Sequence, residues 1–183
     1  MSALGLNMQF ALIGLFAAAY PLLHIFNSVA FRFTEVSPHI ALIYLPAFLR
    51  LFNVLVLGPR DGTLATLLGG MLLMRYFNDS SLLSLLNIVC SAAGPLIAIG
   101  LFKLYLRRPH ELTSLKDLTR LTLLYAPANA LLHHLVWSQL APEQLSTPIQ
   151  VLWMTLGDLF GALLGAYVMR LCIRQYRIWR MDL

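Results

Sequence analysis

Charge is what this sequence has least of. Only 11% of its 183 residues are Asp, Glu, Lys or Arg, against 59% hydrophobic, and its mean hydropathy is +0.75. So few charges cannot cover a globule in water, which excludes a soluble domain and points to an integral membrane protein. Long hydrophilic stretches are also missing. About six spans of ~20 residues each consume most of the chain, so no kinase, cyclase or ATPase output module is expected within it. Cysteine is scarce: Cys90 and Cys172 lie in apolar segments at different depths, which argues against a disulfide and reads as small core side chains. No positive segment precedes the first apolar run, so that run is read as a span and not as a cleavable secretory signal. Catalytic constellations are lacking as well. There is no credible Ser-His-Asp or Cys-His spacing, phosphate-binding loop or zinc-protease signature. Nor do any two of His24, His39, His133 and His134 stand at the i, i+4 spacing of a ready-made helical metal site. The expectation is a non-enzymatic protein without metal or cofactor.

What remains is a series of apolar segments with polar punctuation. The expected fold is a single all-α polytopic membrane domain, residues 1–183, with spans at about 8–26, 39–58, 62–74, 82–106, 120–140 and 149–172. Gly58-Pro59-Arg60-Asp61-Gly62 reads as a tight turn between the second and third spans. The net charge of +5 does not imply nucleic acid, because the basic residues cluster at Lys103 to Arg120 and at Arg170 to Arg180, as positive-inside flanks do. Setting those groups and Arg60 inside leaves only Arg32 and Arg75 outside, so both termini are expected in the cytoplasm of a bacterial inner membrane. Trp137, Trp153 and Trp179 then fall near the membrane boundaries, and the arginine-rich end meets anionic headgroups.

Two charges interrupt the apolar runs. Asp158 stands among Gly157, Gly161 and Gly165, and Thr155, Asp158, Gly161 and Gly165 share one helix face that should pack on another helix, within the chain or in a homo-oligomer. Arg50 is the one basic residue near mid-span. By these boundaries Arg50 and Asp158 lie about eleven and nine residues below the outer surface, roughly 17 and 14 Å at ~1.5 Å per residue. An isolated charge near the bilayer centre costs ~2.5–3.5 kcal/mol, so the two are expected to pair, with Asn53 and Thr155 in support. Asn129 and His133, one helical turn apart, are expected to line the same polar centre.

The run from Trp153 to Gly161, with its Trp-x-x-x-Gly-Asp-x-x-Gly core, resembles a signature of the membrane-associated sensor domain family, a prokaryotic module usually fused to histidine kinases or diguanylate cyclases. Leu57-Gly58-Pro59-Arg60 followed by Gly69-Gly70, and the fourth span ending at Leu106-Arg107-Arg108, are similar to that family in their order. The likeness covers about Phe31 to Val168. It implies a shortened, stand-alone sensor-like unit that signals through a separate protein partner. The Leu57-Gly58-Pro59-Arg60-x-Gly62 turn is also similar to one in substrate-binding subunits of energy-coupling-factor vitamin transporters. A third reading is an accessory subunit of a larger membrane assembly.

Overall fold

Pro46 and Gly58 determine where the second helix starts and where it doubles back. The computed structural model describes residues 3–74, 76, 80–107, 115–142 and 147–181. Among these, five helices carry the chain: α1 (Ala3–Ala30), α2 (Pro46–Leu73), α3 (Ser81–Leu106), α4 (Leu115–Leu140) and α5 (Pro148–Met181). A short 3-10 turn (Arg32–Thr34) and a hairpin of β1 (Glu35–Ser37) and β2 (Ile40–Ala41) lie between α1 and α2. His39 closes this hairpin at φ 63°, a left-handed conformation in which histidine is over-represented among non-glycine residues.

Pro46 occupies the first turn of α2, where its missing N–H costs no hydrogen bond. Gly58 then takes φ 86° and ψ 166°, a region essentially reserved for glycine, and Pro59 disfavours a helical conformation in the residue before it. The helix therefore reverses. Asn53 Nδ2 donates to Thr66 Oγ1 at 3.2 Å across a separation of 13 residues, which a straight helix would hold ~20 Å apart. Gly62 allows the two limbs to touch, since a Cβ there would lie 2.3 Å from the Asn53 carbonyl oxygen. The turn expected at residues 58–62 is present: the backbone leaves helical geometry at Gly58 and divides α2 into two helical limbs folded on each other.

Asn7–Ala30, Ser81–Leu106 and Pro148–Cys172 are the three helices, among the described residues, long and apolar enough to cross a membrane. Residues 39–45 are not helical, so the second expected span starts only at Pro46. That leaves α2 as two limbs, residues 46–57 and 59–73, each too short to cross a full hydrocarbon layer as a straight helix. In α4, Lys116, Asp117 and Arg120 in the first turns and an inward polar face reduce the apolar character. α5 runs on past the expected end at residue 172 to Met181. Trp137 is 1% exposed, so it is a core residue and not an aromatic anchor at the membrane boundary. Cys90 is buried but Cys172 is exposed, and both are free, so only the first is a core side chain. Arg75, Arg108 and the side chains of Arg177, Trp179 and Arg180 lie outside the described residues.

Gly157 and Gly161 of the α5 stripe meet non-helical backbone, and Gly165 meets the start of α2. A Cβ on Gly157 would lie 1.9 Å from the Ala41 carbonyl oxygen, one on Gly161 1.9 Å from that of Tyr44, and one on Gly165 2.3 Å from the Phe48 ring. Tyr44 N–H donates to the Gly157 carbonyl at 3.1 Å, and Gln150 Nε2 donates to Ser37 Oγ at 2.9 Å. Residues 37–45 thus descend along α5 as extended and irregular backbone, and Gly165 meets Phe48 in the first turn of α2. The physical reason is room: an extended strand brings its carbonyls closer to a helix axis than a second helix can, and only glycines leave that space. Around this seam the core forms in layers, from Ile40, Leu83, Trp137 and Met154 near the hairpin, through Ala47, Leu51, Ala98 and Tyr125, to Val54, Ile99, Phe102 and Leu121.

Gly161→Ala should destabilise the protein by about 1–3 kcal/mol, because the added methyl collides with backbone that cannot swing aside. Gly14→Ala is the control: nothing lies within 4 Å of a Cβ there, and replacing a mid-helix glycine with alanine is stabilising by about 0.5–1 kcal/mol. Thermal melting of both variants in one detergent should give opposite signs, and equal effects would remove the seam from the account.

Candidate functional site

The irregular descent of residues 40–45 leaves a cavity of about 150 Å³ between α1, the hairpin, α3, α4 and α5. Arg32 and Glu35 stand at its hairpin end, and Arg50 and Asp158 are among its lining residues. Both of the latter are buried, at 3% and 1% exposure. An apolar wall would be the ordinary choice at such a position in a span, and the polar lining marks the cavity as the chain's candidate site.

Arg50 is held by aromatic hydroxyls. Its Nε donates to Tyr20 Oη at 2.8 Å and its Nη2 to Tyr44 Oη at 2.9 Å. The guanidinium carbon also lies 5.7 Å from the Tyr20 ring centroid and 5.0 Å from that of Tyr44, within cation–π range. Because a guanidinium only donates, Tyr44 accepts from Arg50, and its hydroxyl is also hydrogen-bonded to His24 Nε2, 2.8 Å away. Arg50 Nη1 is buried and makes no hydrogen bond.

Asp158 is held from the other side. Asn129 Nδ2 donates to its Oδ2 at 2.6 Å. Gly94 permits this arrangement, since a Cβ at that position would lie 2.8 Å from Asn129 Oδ1. One turn further along α4, His133 Nδ1 faces Asn87 Oδ1 at 3.2 Å, and Trp137 Nε1 donates to the same oxygen at 2.7 Å. An indole N–H can only donate, which identifies the Asn87 atom as oxygen, and that oxygen can only accept. His133 therefore carries a proton on Nδ1, and its Nε2 lies 3.4 Å from Ser91 Oγ.

The structure thus brings Arg50, His133 and Asp158 to one cavity, with Asn129 immediately behind Asp158. It does not join Arg50 and Asp158 directly: no ion pair within 4.0 Å links them, and each is anchored by neutral partners. Asn53 and Thr155 are elsewhere. Asn53 faces Thr66 inside the folded α2, and Thr155 Oγ1 donates to the Val151 carbonyl of its own helix at 2.8 Å. The glycines 157, 161 and 165 build the seam that holds Tyr44 in place.

Tyr20, Tyr44, Ser84, Asn87, Ser91 and Trp137, which sequence reasoning did not assign to the site, complete the lining together with the outer-side histidines His24 and His39. A signal existed for part of this set. Tyr125, Asn129, His133 and Trp137 recur at four-residue spacing on α4, and Ser84, Asn87 and Ser91 follow the three-and-four rhythm of one face of α3. Tyr44 had none, because it belongs to no helix. No protein-family model, characterised protein or solved structure matches this chain.

Although they do not touch, Arg50 and Asp158 share one low-dielectric pocket, and their charges should still be coupled. Arg50→Met and Asp158→Asn should each destabilise the protein, and the double variant should be better than the sum by about 0.5–3 kcal/mol. Denaturation of the four proteins in one detergent measures this, and strict additivity would show that the two charges are independent.

Proposed function

We propose that this chain is a non-enzymatic membrane protein that receives a small polar molecule in the cavity above Arg50 and Asp158 and acts through a separate protein partner. One observation carries the reading: two oppositely charged side chains, both nearly fully buried, face one cavity without pairing with each other. For stability alone, a direct pair or an apolar replacement would be cheaper. A site that keeps both charges apart retains the capacity to bind something between them.

In this reading the chain crosses a bacterial inner membrane six times, with both termini in the cytoplasm. The non-helical residues 39–45 and the first limb of α2 together make one descent, and the second limb, shorter than a full hydrocarbon layer, makes the return where the bilayer thins around it. Support comes from the ends of the elements. Ser28 Oγ and Tyr76 Oη are 3.0 Å apart, which brings the end of α1 beside the end of the α2 hairpin. Gln9 Nε2 bonds the Asp61 carboxylate, which brings the start of α1 beside the α2 turn. The basic residues Arg60, Lys103, Lys116 and Arg120 then gather at the turn side, as cytoplasmic flanks do. The cavity opens toward the opposite, outer side. Irregular backbone at membrane depth is tolerated where it is buried in protein or lines such a cavity.

The partner reading follows from the resemblance to membrane-associated sensor domains, in which the membrane unit passes its state to a signalling module. Native mass spectrometry of the protein drawn from its own membrane in mild detergent tests both halves. Wild type should retain a small molecule that Ser84→Phe, which fills the cavity, loses. A co-purifying kinase or cyclase supports the sensor role, whereas an ATPase pair would redirect the reading to a transporter's substrate-binding subunit. A large stable assembly around an empty cavity would leave an accessory subunit.

A further inference from the structure

The charge arrangement of the cavity specifies more than "polar", and resting on the ligand-binding reading above, we infer that the site takes a small zwitterion of the amino-acid kind. Its carboxylate would sit against Arg50 and its ammonium against Asp158. Three observations lead there. First, each charged group keeps hydrogen-bonding capacity in reserve. Two of the five guanidinium N–H groups of Arg50 are engaged, by Tyr20 and Tyr44, while Nη1 makes no close hydrogen bond and the Tyr125 hydroxyl stands nearby. Asp158 uses Oδ2 for Asn129, and Oδ1 accepts no hydrogen bond from the described residues. A guanidinium N–H and a carboxylate oxygen are the natural partners of a carboxylate and an ammonium.

Second, the charges balance. Arg50 and Asp158 cancel in the depth of the cavity, and Arg32 and Glu35 cancel at its hairpin end. His133 adds none, since at 3% exposure and with only neutral partners a charge on its ring would be buried unpaired. A simple anion would meet Asp158, and a simple cation would meet Arg50. At low dielectric such like-charge contacts are strongly unfavourable, so a molecule carrying both signs is the one that satisfies both ends.

Third, the space fits. A cavity of about 150 Å³ is of the size that in another protein encloses benzene, a molecule of about six heavy atoms. Glycine, alanine and serine are of that order, and a longer side chain would extend through the open end. Ser84 Oγ, buried in the wall without a hydrogen-bond partner, offers a further polar contact.

The test uses the full chain in lipid nanodiscs and isothermal titration with glycine, L-alanine and L-serine, beside acetate, propionate and ethylamine as single-charge analogues. At least one zwitterion should bind saturably, and every single-charge analogue at least tenfold more weakly. Asp158→Asn, close to isosteric, should weaken the zwitterion at least tenfold and lessen the penalty on propionate. The analogue series is read on the wild-type chain, so it stands even if a variant misfolds. Equal binding of propionate and alanine would overturn the zwitterion assignment. So would the absence of all zwitterion binding while native mass spectrometry still finds a retained small molecule, and in that case the ligand-binding reading survives. No retained molecule together with no titration signal would end both.

Discussion

Everything in the centre of this molecule depends on the close contact between the backbone of residues 41–45 and the glycines of α5. An extended segment deep among helices must hide its amide groups or have them bonded. Here the Tyr44 N–H is taken by the Gly157 carbonyl, and the Leu45 N–H by Asn27 Oδ1 at 2.8 Å. The second bond explains why an asparagine 4% exposed sits near the end of α1. With its backbone secured at both residues, Tyr44 projects its ring and hydroxyl toward Arg50. The contact therefore does two things at once: it holds a non-helical stretch against α5, and it orients the cation of the cavity.

The neighbouring helices are shaped by the same requirement for close approach. Pro21 removes a donor from α1 and leaves the Ala17 carbonyl without its helical partner. Gly69 of the second α2 limb brings its backbone to that carbonyl, where a Cβ would lie 2.6 Å away. On the other side, Gly70 accommodates Ile88 of α3. The folded α2 is therefore wedged between α1 and α3, and the cavity remains open because the wedge ends at Gly70, Leu73 and Met74 in its wall.

Much of this architecture was legible as punctuation. The apolar run 82–106 coincides with α3, and Gly58-Pro59 marks a reversal because that pair permits nothing else. Gly157, Gly161 and Gly165 were legible as a face of close approach. What they approach was not, since a small-residue stripe has the same periodicity whether a helix or an extended strand lies on it. Hydropathy failed at residues 39–45 for a related reason: Ile40, Ala41, Leu42, Ile43 and Leu45 are apolar enough to read as a span, and burial in protein demands the same composition as burial in lipid. In the site, Arg50, Asp158, Asn129 and His133 stood out as polar atoms in apolar runs. Tyr20, Tyr44 and Trp137 did not, because aromatic residues are ordinary in spans and their polar atoms count only once geometry aims them at a partner.

The expectation that Arg50 and Asp158 would pair rested on economy, and the structure offers a different economy. Each charge is met by neutral dipoles: two tyrosine hydroxyls and two ring faces for Arg50, an amide for Asp158. Such partners stabilise an ion without neutralising it, so the field of each charge persists in the cavity. A direct pair would have closed that field on itself and left little for a third molecule to recognise. Moreover, the groups holding Arg50 come from α1 and the descending segment, while the group holding Asp158 comes from α4. A molecule spanning the two charges would bridge α2 and α5 directly, and would reach α1 and α4 only through the groups that hold Arg50 and Asp158. If binding favours one arrangement of these helices over another, occupancy shifts the protein toward it by no more than the difference in affinity, and only such a shift could be passed to a partner.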